Sequence, residues 1–337
     1  MVRTKGVEHF GKLGASLWLL VPGGGLEPPT LSGHGPKPCA SSNSATPARL
    51  PRETLVKRGL PIPPRPLFID NYTRISDRIQ FKLTMKIKFL GTSAGWPLPR
   101  LGCRDEVCSS KDPRDTRTRS QALVNEVLLL DLGPDTYQHL KQPGIDPTKI
   151  RYAAISHEHP DHTFGLWDLS HTYTKEGRQK IKILINPKTL AKIRFMFFPN
   201  EYDILPTLAG TEIELDSLRL TFLPVNHTKD STFGVLVKEG NKRFFWAPDF
   251  KSLPTETIAK VKGADLAAID GSELRIKTPS HETIEEGTEL GKTLQAKNVY
   301  FVHIGHRTLP HRQLETFVRK IGGKNFHIPY DSLEIEI

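Results

Sequence analysis

The chain has 337 residues and a formal net charge of +10, from 47 basic and 37 acidic side chains. Its apolar and charged fractions, 37% and 25%, are ordinary for a globular protein and exclude a fibrous or low-complexity composition. No apolar run approaches the roughly 20 residues that cross a bilayer, so no membrane partner is expected. The length alone allows one or two domains.

Residues 1–84 differ from the remainder in composition. They hold 11 of the 27 prolines, and 12 Lys or Arg against 5 Asp or Glu. The remainder holds 35 basic and 32 acidic side chains, which weakens the argument from net charge for a nucleic-acid partner. Without apolar periodicity, residues 1–84 are predicted to be a disordered tail. Because regular patterning begins at Met85, we interpret the tail as the product of a mis-called start, with a genuine flexible tail as the alternative.

The three cysteines, Cys39, Cys103 and Cys108, are too few for a disulfide framework. The close spacing of Cys103 and Cys108 favours a metal site, and the low cysteine content favours a reducing compartment. We therefore predict a cytoplasmic location. The short apolar run Leu13–Val21 after a basic start keeps a secretory signal as the alternative.

From Met85 onward, strands and helices are interspersed. Met85–Gly91 alternates polar and apolar residues, as a half-buried strand does. Leu123–Leu130 is an apolar run of strand length, Pro134 opens a short helix, and Thr283 with Glu286 fits a helix capping box. Further strands are predicted at 150–155, 182–185, 212–215, 219–222, 234–237, 243–246, 266–269, 299–302 and 332–337, and helices at 253–261, 283–296 and 310–321. This order favours an α/β layered domain over a doubly wound parallel sheet.

A cluster of potential metal ligands follows the predicted strand at 150–155. Four side chains within six residues have suitable chemistry: His157, His159, Asp161 and His162. Imidazole and carboxylate together suit Zn, Mn or Fe(II). The alternative is a polar loop in which Asp161 caps the next helix. That alternative explains one such residue better than it explains four.

Further candidate ligands come directly after later strands. His227 follows the predicted strand at 219–222, Asp249 follows 243–246, and His303 and His306 follow 299–302. Asp131 similarly ends the run at 123–130. Any one of these side chains alone is more often structural than ligating. Their repetition at the ends of apolar runs predicts that they meet the first cluster at one edge of the fold.

This ordered set of motifs resembles the metallo-β-lactamase superfamily over residues 85–337. The resemblance implies a four-layer αββα sandwich with two divalent metal ions, Zn or Mn, at one edge of its two sheets. The implied ligand sets are His157, His159 and His227 for one ion and Asp161, His162 and His303 for the other, with Asp249 bridging. Asp131 is expected to lie outside the set of metal ligands and to orient one of them. The absence of cysteine among these ligands resembles the phosphodiesterase branch of the superfamily.

The segment 91–108 resembles a loop of the phosphodiesterase of the phosphonate-degradation pathway, which opens 5-phosphoribosyl 1,2-cyclic phosphate. In that family a Cys-x-Cys-x-x-Cys loop and one late histidine bind a structural zinc. Cys103, Cys108 and His306 match three of these ligands, whereas Asp105 stands where the family has its middle cysteine. A carboxylate still completes a tetrahedral zinc site, though more weakly than a thiolate. The alternative is a pair of buried thiols in a well-packed loop.

The resemblance also implies catalytic side chains beyond the ligands. His281 resembles the proton-donating histidine of the family, and Asp270, at the end of the strand 266–269, is expected to support it. The alternative for His281 is a helix-capping or surface role, and Glu273 is a weaker candidate for the same region. The arginines after the first strand are expected to form a solvated loop or, less favoured, to bind a substrate phosphate: Arg100, Arg104, Arg114, Arg117 and Arg119. Three other histidines are expected to be structural or exposed: His171, His311 and His327.

The implied function is hydrolysis of a small cyclic phosphate or nucleotide-like phosphodiester, with a hydroxide bridging the two metals as nucleophile. The first alternative is an endonuclease of the transfer-RNA 3′-processing type, for which nucleic acid is the substrate. The second is a non-catalytic carrier resembling the pyrroloquinoline-quinone biosynthesis protein. The oligomeric state stays open, and a homodimer is allowed.

Overall fold

A computed structural model describes residues 84–170, 172–174, 176–197 and 201–337, all within a compact unit that spans Arg74–Ile337. The predicted tail lies outside these residues except for Thr84, and so does His171. No helix within the described ranges combines the length and the apolar character that a membrane span requires.

Two seven-stranded sheets form the centre of this unit. The first sheet has the spatial order Glu334–Glu336, Lys86–Gly91, Gln121–Val124, Leu128–Leu130, Tyr152–Ile155, Lys182–Ile185 and Asp203–Pro206. The second has the order Phe326–His327, Val299–Val302, Leu266–Asp270, Lys242–Ala247, Phe233–Glu239, Leu218–Pro224 and Glu212–Leu215. Each sheet is antiparallel over one half and parallel over the other. A separate short hairpin pairs Tyr173–Thr174 with Gly177–Arg178.

The helices accompany the two sheets. The described α-helices are Thr136–Leu140, Pro160–Thr163, Leu166–Leu169, Pro187–Ile193, Thr255–Val261, Ile284–Leu294 and His311–Gly322. Short 3-10 turns occupy Pro113–Asp115, Pro147–Lys149 and Arg194–Met196. The predicted capping box is present at the start of Ile284–Leu294, where the Thr283 hydroxyl accepts from the Glu286 backbone N–H. Such a cap satisfies backbone donors that a helix start would otherwise leave free.

The buried apolar residues form three hydrophobic clusters. The central core lies between the sheets, where Phe89 of the first sheet packs with Trp246 of the second. A second core lies on the outer face of the first sheet and includes Leu166. A third lies on the outer face of the second sheet and includes Ile284 and Leu314. Helices on both outer faces of two packed sheets confirm the predicted αββα sandwich.

The apolar run 123–130 is the clearest error among the predicted elements. It was predicted to form one strand, but the structure has an antiparallel hairpin of Gln121–Val124 and Leu128–Leu130. Asn125 and Glu126 between them adopt left-handed backbone conformations, with φ of 48° and 60°. Two consecutive residues with positive φ reverse the chain, as in a tight hairpin turn. Periodicity alone does not reveal such a turn when its flanks are apolar.

Candidate metal centre

The segment after Tyr152–Ile155 supplies the first candidate ligands. This strand lies inside the first sheet, paired on both sides with Leu128–Leu130 and Lys182–Ile185. The segment that follows its carboxyl end is therefore anchored to a rigid, buried strand. Pro160 then occupies the first position of the helix Pro160–Thr163, a position for which its fixed φ is suited. The turn holds the two histidines and the aspartate–histidine pair on one short stretch of chain: His157, His159, Asp161 and His162.

The second sheet supplies the other three candidates. His227 follows Leu218–Pro224 and Asp249 follows Lys242–Ala247. His303 follows Val299–Val302 and has a φ of 58°, a left-handed conformation that is costly for a residue with a Cβ. Its backbone N–H donates to Ser120 Oγ at 2.9 Å, which helps to fix this conformation. Both sheets therefore contribute side chains to one site.

The first ligand set converges on one point. His159 Nδ1 lies 3.0 Å from His157 Nε2 and 3.3 Å from His227 Nε2. Asp249 Oδ2 lies 3.5 Å from His157 Nε2 and 3.7 Å from His227 Nε2. A neutral imidazole nitrogen either donates or accepts, so three such nitrogens facing one another cannot all satisfy each other. His227 Nδ1 donates to the Ser280 carbonyl oxygen at 2.7 Å, which leaves its Nε2 lone pair for a cation.

The second set lies beside the first and shares Asp249 with it. Asp161 Oδ2 lies 3.1 Å from His162 Nε2 and 3.3 Å from His303 Nε2. Asp249 Oδ1 lies 3.0 Å from His303 Nε2. Within each set, all ligand atoms lie within 4.8 Å of one another. Although His162 Nε2 and Asp249 Oδ1 lie this close to oppositely charged groups, neither buried atom makes a well-aligned hydrogen bond among the described residues, which is unusual for native polar atoms. These residues fit a pair of divalent cations that share the Asp249 carboxylate.

The carboxylates and histidines of the two sets shift one another's pKa. Burial alone would raise the pKa of Asp249, but the adjacent His303 and His162 outweigh burial and hold it well below its usual range. Burial alone would lower the pKa of His303, but Asp249 and Asp161 raise it to about 10. His157, by contrast, has its pKa lowered to about 4, chiefly by burial. The ionised carboxylates thus form a concentration of negative charge that requires protons or metal cations nearby.

Asp131 lies fully buried behind the second set. Its Oδ1 accepts from the Ser156 backbone N–H at 2.8 Å, and its Oδ2 accepts from Trp246 Nε1 at 2.9 Å. Asp131 Oδ2 also lies 3.1 Å from His162 Nδ1. This arrangement suits a carboxylate that fixes the orientation of a ligand histidine.

His281 and Asp270, the predicted proton donor and its support, lie together beside the ligand sets. His281 Nδ1 is 2.7 Å from Asp270 Oδ2, and the His281 ring centroid lies 5.0 Å from that of His227 and 5.5 Å from that of His303. Burial alone would lower the pKa of His281, but the Asp270 carboxylate raises it. Asp270 is held in turn by the backbone N–H of Ser272, at 2.9 Å from its Oδ1.

A cleft of about 680 Å³ opens onto the centre. Its lining includes candidate ligands and His281, together with Trp96, Arg100, Arg119, Phe164, Ser272, Glu273 and Arg307. The expectation of a solvated arginine loop is wrong for Arg117, which is 1% exposed and donates to the Pro329 carbonyl oxygen at 2.6 Å. The lining also includes residues that no local sequence pattern distinguishes from ordinary loop residues: Trp96, Phe164 and Ser272.

The predicted structural site forms a separate cluster near the cleft. Cys103 Sγ lies 2.9 Å from Asp105 Oδ2 and 3.5 Å from His306 Nδ1, and Asp105 Oδ2 lies 2.5 Å from His306 Nδ1. Cys108 completes the group, whose ligand atoms all lie within 4.8 Å of one another. Burial, with a contribution from Cys103, raises the pKa of Cys108 to about 12. Both cysteines are free, and the set fits a tetrahedral zinc ion with one carboxylate ligand.

The family follows from this geometry and from a direct match. The model of the β-lactamase superfamily domain matches residues 127–304, more than half of the chain. The chain belongs to the metallo-β-lactamase superfamily. The matched region spans the strand before Asp131, both ligand-bearing edges and His303. Because this fold hosts several chemistries, the match assigns the fold and the superfamily, and the reaction has to be argued from the site.

Individual relatives refine this assignment. The crystal structure of a new diphosphatase from the PhnP family is 26% identical, covers 76% of this chain and 98% of its own, and has a TM-score of 0.66. This likeness confirms the predicted resemblance to the phosphodiesterase branch of the superfamily, which the cysteine loop at 103–108 indicated. An octanoyltransferase of Porphyromonas gingivalis is 28% identical over 264 residues, 74% of this chain and 51% of the relative. A ribonuclease Z of Ignicoccus hospitalis is 32% identical over 122 residues, 34% of this chain and 40% of the relative. The chain thus spans about half, or less, of these two curated relatives.

Proposed function

We propose that residues 85–337 form a metal-dependent phosphodiesterase that hydrolyses small phosphodiesters, including cyclic phosphates. The observation that carries this proposal is the position of Asp249. Its Oδ2 lies within 3.7 Å of three histidine nitrogens, and its Oδ1 lies 3.0 Å from a fourth: His157, His162, His227 and His303. A carboxylate shared by two nitrogen-rich ligand sets is what a two-metal hydrolytic centre requires.

Each ligand set would hold one cation, Zn²⁺ or Mn²⁺, both of which accept nitrogen and carboxylate ligands. When bound, such a pair supplies a water nucleophile near neutral pH and offsets the charge of the phosphoryl group. Other groups of the chain orient the ligand histidines. Asp131 holds His162 in one orientation, and the Ser280 carbonyl oxygen holds His227. Such outer contacts raise the affinity of a site for its metal.

The proposed proton donor is His281. Hydrolysis of an alkyl phosphodiester releases an alkoxide, which needs a proton as the phosphorus–oxygen bond breaks. Asp270 accepts from His281 Nδ1 and raises the pKa of the imidazole, so that the protonated form is favoured and Nε2 carries the proton to be donated. The cleft that His281 lines gives the leaving group access to this ring.

Cleavage of RNA is the second candidate function, because ribonuclease Z relatives share part of this chain. The two substrates can be compared directly. Turnover of bis(p-nitrophenyl) phosphate without cleavage of a transfer-RNA precursor supports a small substrate, whereas efficient cleavage of the precursor supports the nuclease. The carrier hypothesis predicts no turnover of any diester, with or without added metal.

The decisive experiment combines metal analysis with turnover for the full chain. We expect about two divalent ions per chain in the proposed centre, in addition to any zinc held at Cys103, and turnover that is lost on chelation and restored by Mn²⁺ or Zn²⁺. Asp249→Ala should lose metal and turnover while retaining its circular dichroism spectrum. Asp203→Asn, which changes an exposed carboxylate distant in sequence from every ligand, is the matched control. Full metal content and turnover in Asp249→Ala would refute the two-metal proposal.

A further inference from the structure

The backbone of His303 is held by contacts that lie outside the candidate ligand sets. Its φ of 58° is a left-handed conformation, and its N–H donates to Ser120 Oγ at 2.9 Å. Ser120 is 1% exposed, and its hydroxyl donates in turn to the Ser93 carbonyl oxygen at 2.9 Å. A residue with a Cβ stays in this conformation where several surrounding contacts constrain it. The Ser120 hydroxyl is one such constraint, because it lies between His303 and a neighbouring segment of backbone.

That neighbouring segment, the bridging segment Thr92–Ala94, runs between the two sheets. It continues from a strand of the first sheet, and Ser93 forms isolated bridges with Arg119 on one side and with Ile304 on the other. Ile304 directly follows the candidate ligand in the second sheet. The Ser120 N–H donates to the Ser93 carbonyl oxygen at 2.9 Å. The position of the Ser120 hydroxyl beside the candidate ligand therefore depends on how the bridging segment is held.

Asp331 binds both the bridging segment and the stretch of chain that leads to Ser120. Its Oδ1 accepts from Thr92 Oγ1 at 2.7 Å. Its Oδ2 accepts from the backbone N–H of Thr118 at 2.6 Å and from the hydroxyl of the same residue. The Thr118 carbonyl oxygen accepts from the N–H groups of Thr92 and Ser93, at 2.9 and 2.7 Å. One carboxylate therefore fixes the two stretches of backbone whose spacing places the Ser120 hydroxyl.

A buried cation belongs to the same network. Arg117 Nη1 donates to Thr92 Oγ1 at 2.8 Å, so the hydroxyl that donates to Asp331 also accepts from a guanidinium. Arg117 Nη2 lies 2.9 Å from His311 Nδ1. Burial, together with the Arg117 charge, lowers the pKa of His311 to about 4, so the neutral ring accepts from the guanidinium. Inside a protein such hydrogen bonds are electrostatically stronger than in water, so the loss of one charged member should loosen the others.

We propose that Ser120 and Asp331 are positioning residues for His303 in the second ligand set. This inference rests on the proposed two-metal centre and adds to it residues that lie outside both ligand sets. His303 belongs to the second set and not to the first, so a change in its backbone should weaken the binding of one ion and spare the other. A residue with only a structural role would weaken the binding of both ions together.

Binding of Mn²⁺ to the chelated, full-length protein tests this selectivity. Carboxylate ligands suit Mn²⁺, whereas thiolates select other metals, so the cysteine cluster contributes little to the count of bound ions. Electron paramagnetic resonance measures free Mn²⁺ and distinguishes a coupled pair of ions from a single one. In Ser120→Ala we expect one ion to bind as in wild type and the other to bind about 10- to 100-fold more weakly. Asp331→Asn, which keeps the shape of the side chain, should act in the same direction by a smaller factor.

Two control variants remove comparable groups elsewhere. Asp146 accepts from the backbone N–H and the hydroxyl of Thr148, the same pair of contacts that Asp331 makes in the network, but at an exposed turn. Thr288 is fully buried, and its hydroxyl donates to a helix carbonyl oxygen at 2.8 Å. Asp146→Asn and Thr288→Val should bind both ions as wild type does. Equal weakening of both ions in Ser120→Ala, or full affinity for both in Ser120→Ala and Asp331→Asn, would overturn the proposal.

Hydrogen exchange separates this inference from the proposed function, because it needs neither metal nor turnover. In the chelated protein, the His303 amide should exchange on the order of tenfold faster in Ser120→Ala than in wild type, since it loses its hydrogen-bond acceptor. Faster exchange in a protein that binds no pair of Mn²⁺ ions would reject the two-metal centre and support the positioning of His303. A pair of ions bound with wild-type affinity, together with unchanged exchange, would reject the positioning role alone.

Discussion

Asp131 is not a predicted ligand, but it is positioned to orient the predicted ligand His162. Asp131 accepts hydrogen bonds from Ser156 and Trp246 and faces His162 Nδ1 at 3.1 Å. In Asp131→Asn, an amide replaces one carboxylate oxygen, so the imidazole loses a charged partner that fixes its tautomer. We expect metal affinity to fall by about 10- to 100-fold with little loss of secondary structure, measured by competition with a chromophoric chelator. Asp203→Asn should leave the affinity unchanged, and an unaltered affinity in Asp131→Asn would contradict the orienting role.

The role of His281 can be tested by the choice of leaving group. His281→Ala should slow hydrolysis of a cyclic ribose phosphate by about 10²- to 10⁴-fold, because the alkoxide then leaves without a proton. Bis(p-nitrophenyl) phosphate should be affected far less, because p-nitrophenolate is a stable anion. Steady-state kinetics on both substrates measure the difference. Asp270→Asn should show the same selectivity more weakly, and an equal loss on both substrates would assign His281 a structural role instead.

The helices and strands that could be predicted from the sequence are those that local chemistry determines. The strand before His157 and the capping box at Thr283 follow from apolar runs and from a side-chain pattern, and both are present. The hairpin at 121–130 was not predicted, because its reversal depends on positive φ at Asn125 and Glu126 rather than on a glycine. Strand Asp203–Pro206 was also missed, since its pairing with Lys182–Ile185 is a tertiary choice.

The candidate site was predictable to the extent that ligands follow strand ends. The structure brings together all seven proposed ligands of the metal centre: His157, His159, Asp161, His162, His227, Asp249 and His303. Their spacing in sequence did not show which atoms converge or that Trp96 and Ser272 would face the same cleft. Those facts depend on packing between sheets, which has no local signature. The assignment of the ligands to metal ions stays a prediction until metal is measured.

The segment that joins strand Leu266–Asp270 to helix Ile284–Leu294 contains a buried acid, Glu282. Burial, with the nearby Asp270 and Glu286 charges, raises the pKa of Glu282 from 4.5 to about 8. The folded protein therefore favours protonated Glu282 more strongly than the unfolded chain does. This contribution to stability is fully present below pH 4.5 and is lost as the pH rises to about 8.

Glu282→Gln should remove that dependence, since an amide does not ionise. We expect the variant to gain about 1–2 kcal/mol in the free energy of unfolding relative to wild type at pH 8, and little at pH 4.5. Urea denaturation at the two pH values measures the difference. Glu285→Gln, at an exposed acid in the first turn of the helix that follows Glu282, is the control. An identical pH dependence in wild type and Glu282→Gln would contradict the assignment of a raised pKa to this group.

At the scale of the whole described unit, the proposed metal centre joins the two sheets. His157 and His162 follow a strand of the first sheet, whereas His227, Asp249 and His303 follow strands of the second. Metal bound only in the folded state would therefore stabilise the packing of one sheet on the other. At a free metal concentration of a hundred times Kd, this linkage is worth about 2.7 kcal/mol per site.

Thermal unfolding with and without metal tests this coupling. About 1 kcal/mol shifts the melting temperature of a domain of this size by about 2–4 °C, and the centre has two proposed sites. Chelation should therefore lower the Tm by about 10–20 °C, and Zn²⁺ should restore it. The cysteine cluster would add its own shift, so the comparison uses Cys103→Ser as the background. In that background, a further Asp249→Asn substitution should abolish most of the response to zinc, because both ligand sets lose their shared carboxylate. A response that persists in the double variant, or a wild-type Tm that chelation does not change, would place the stabilising metal elsewhere or remove it altogether.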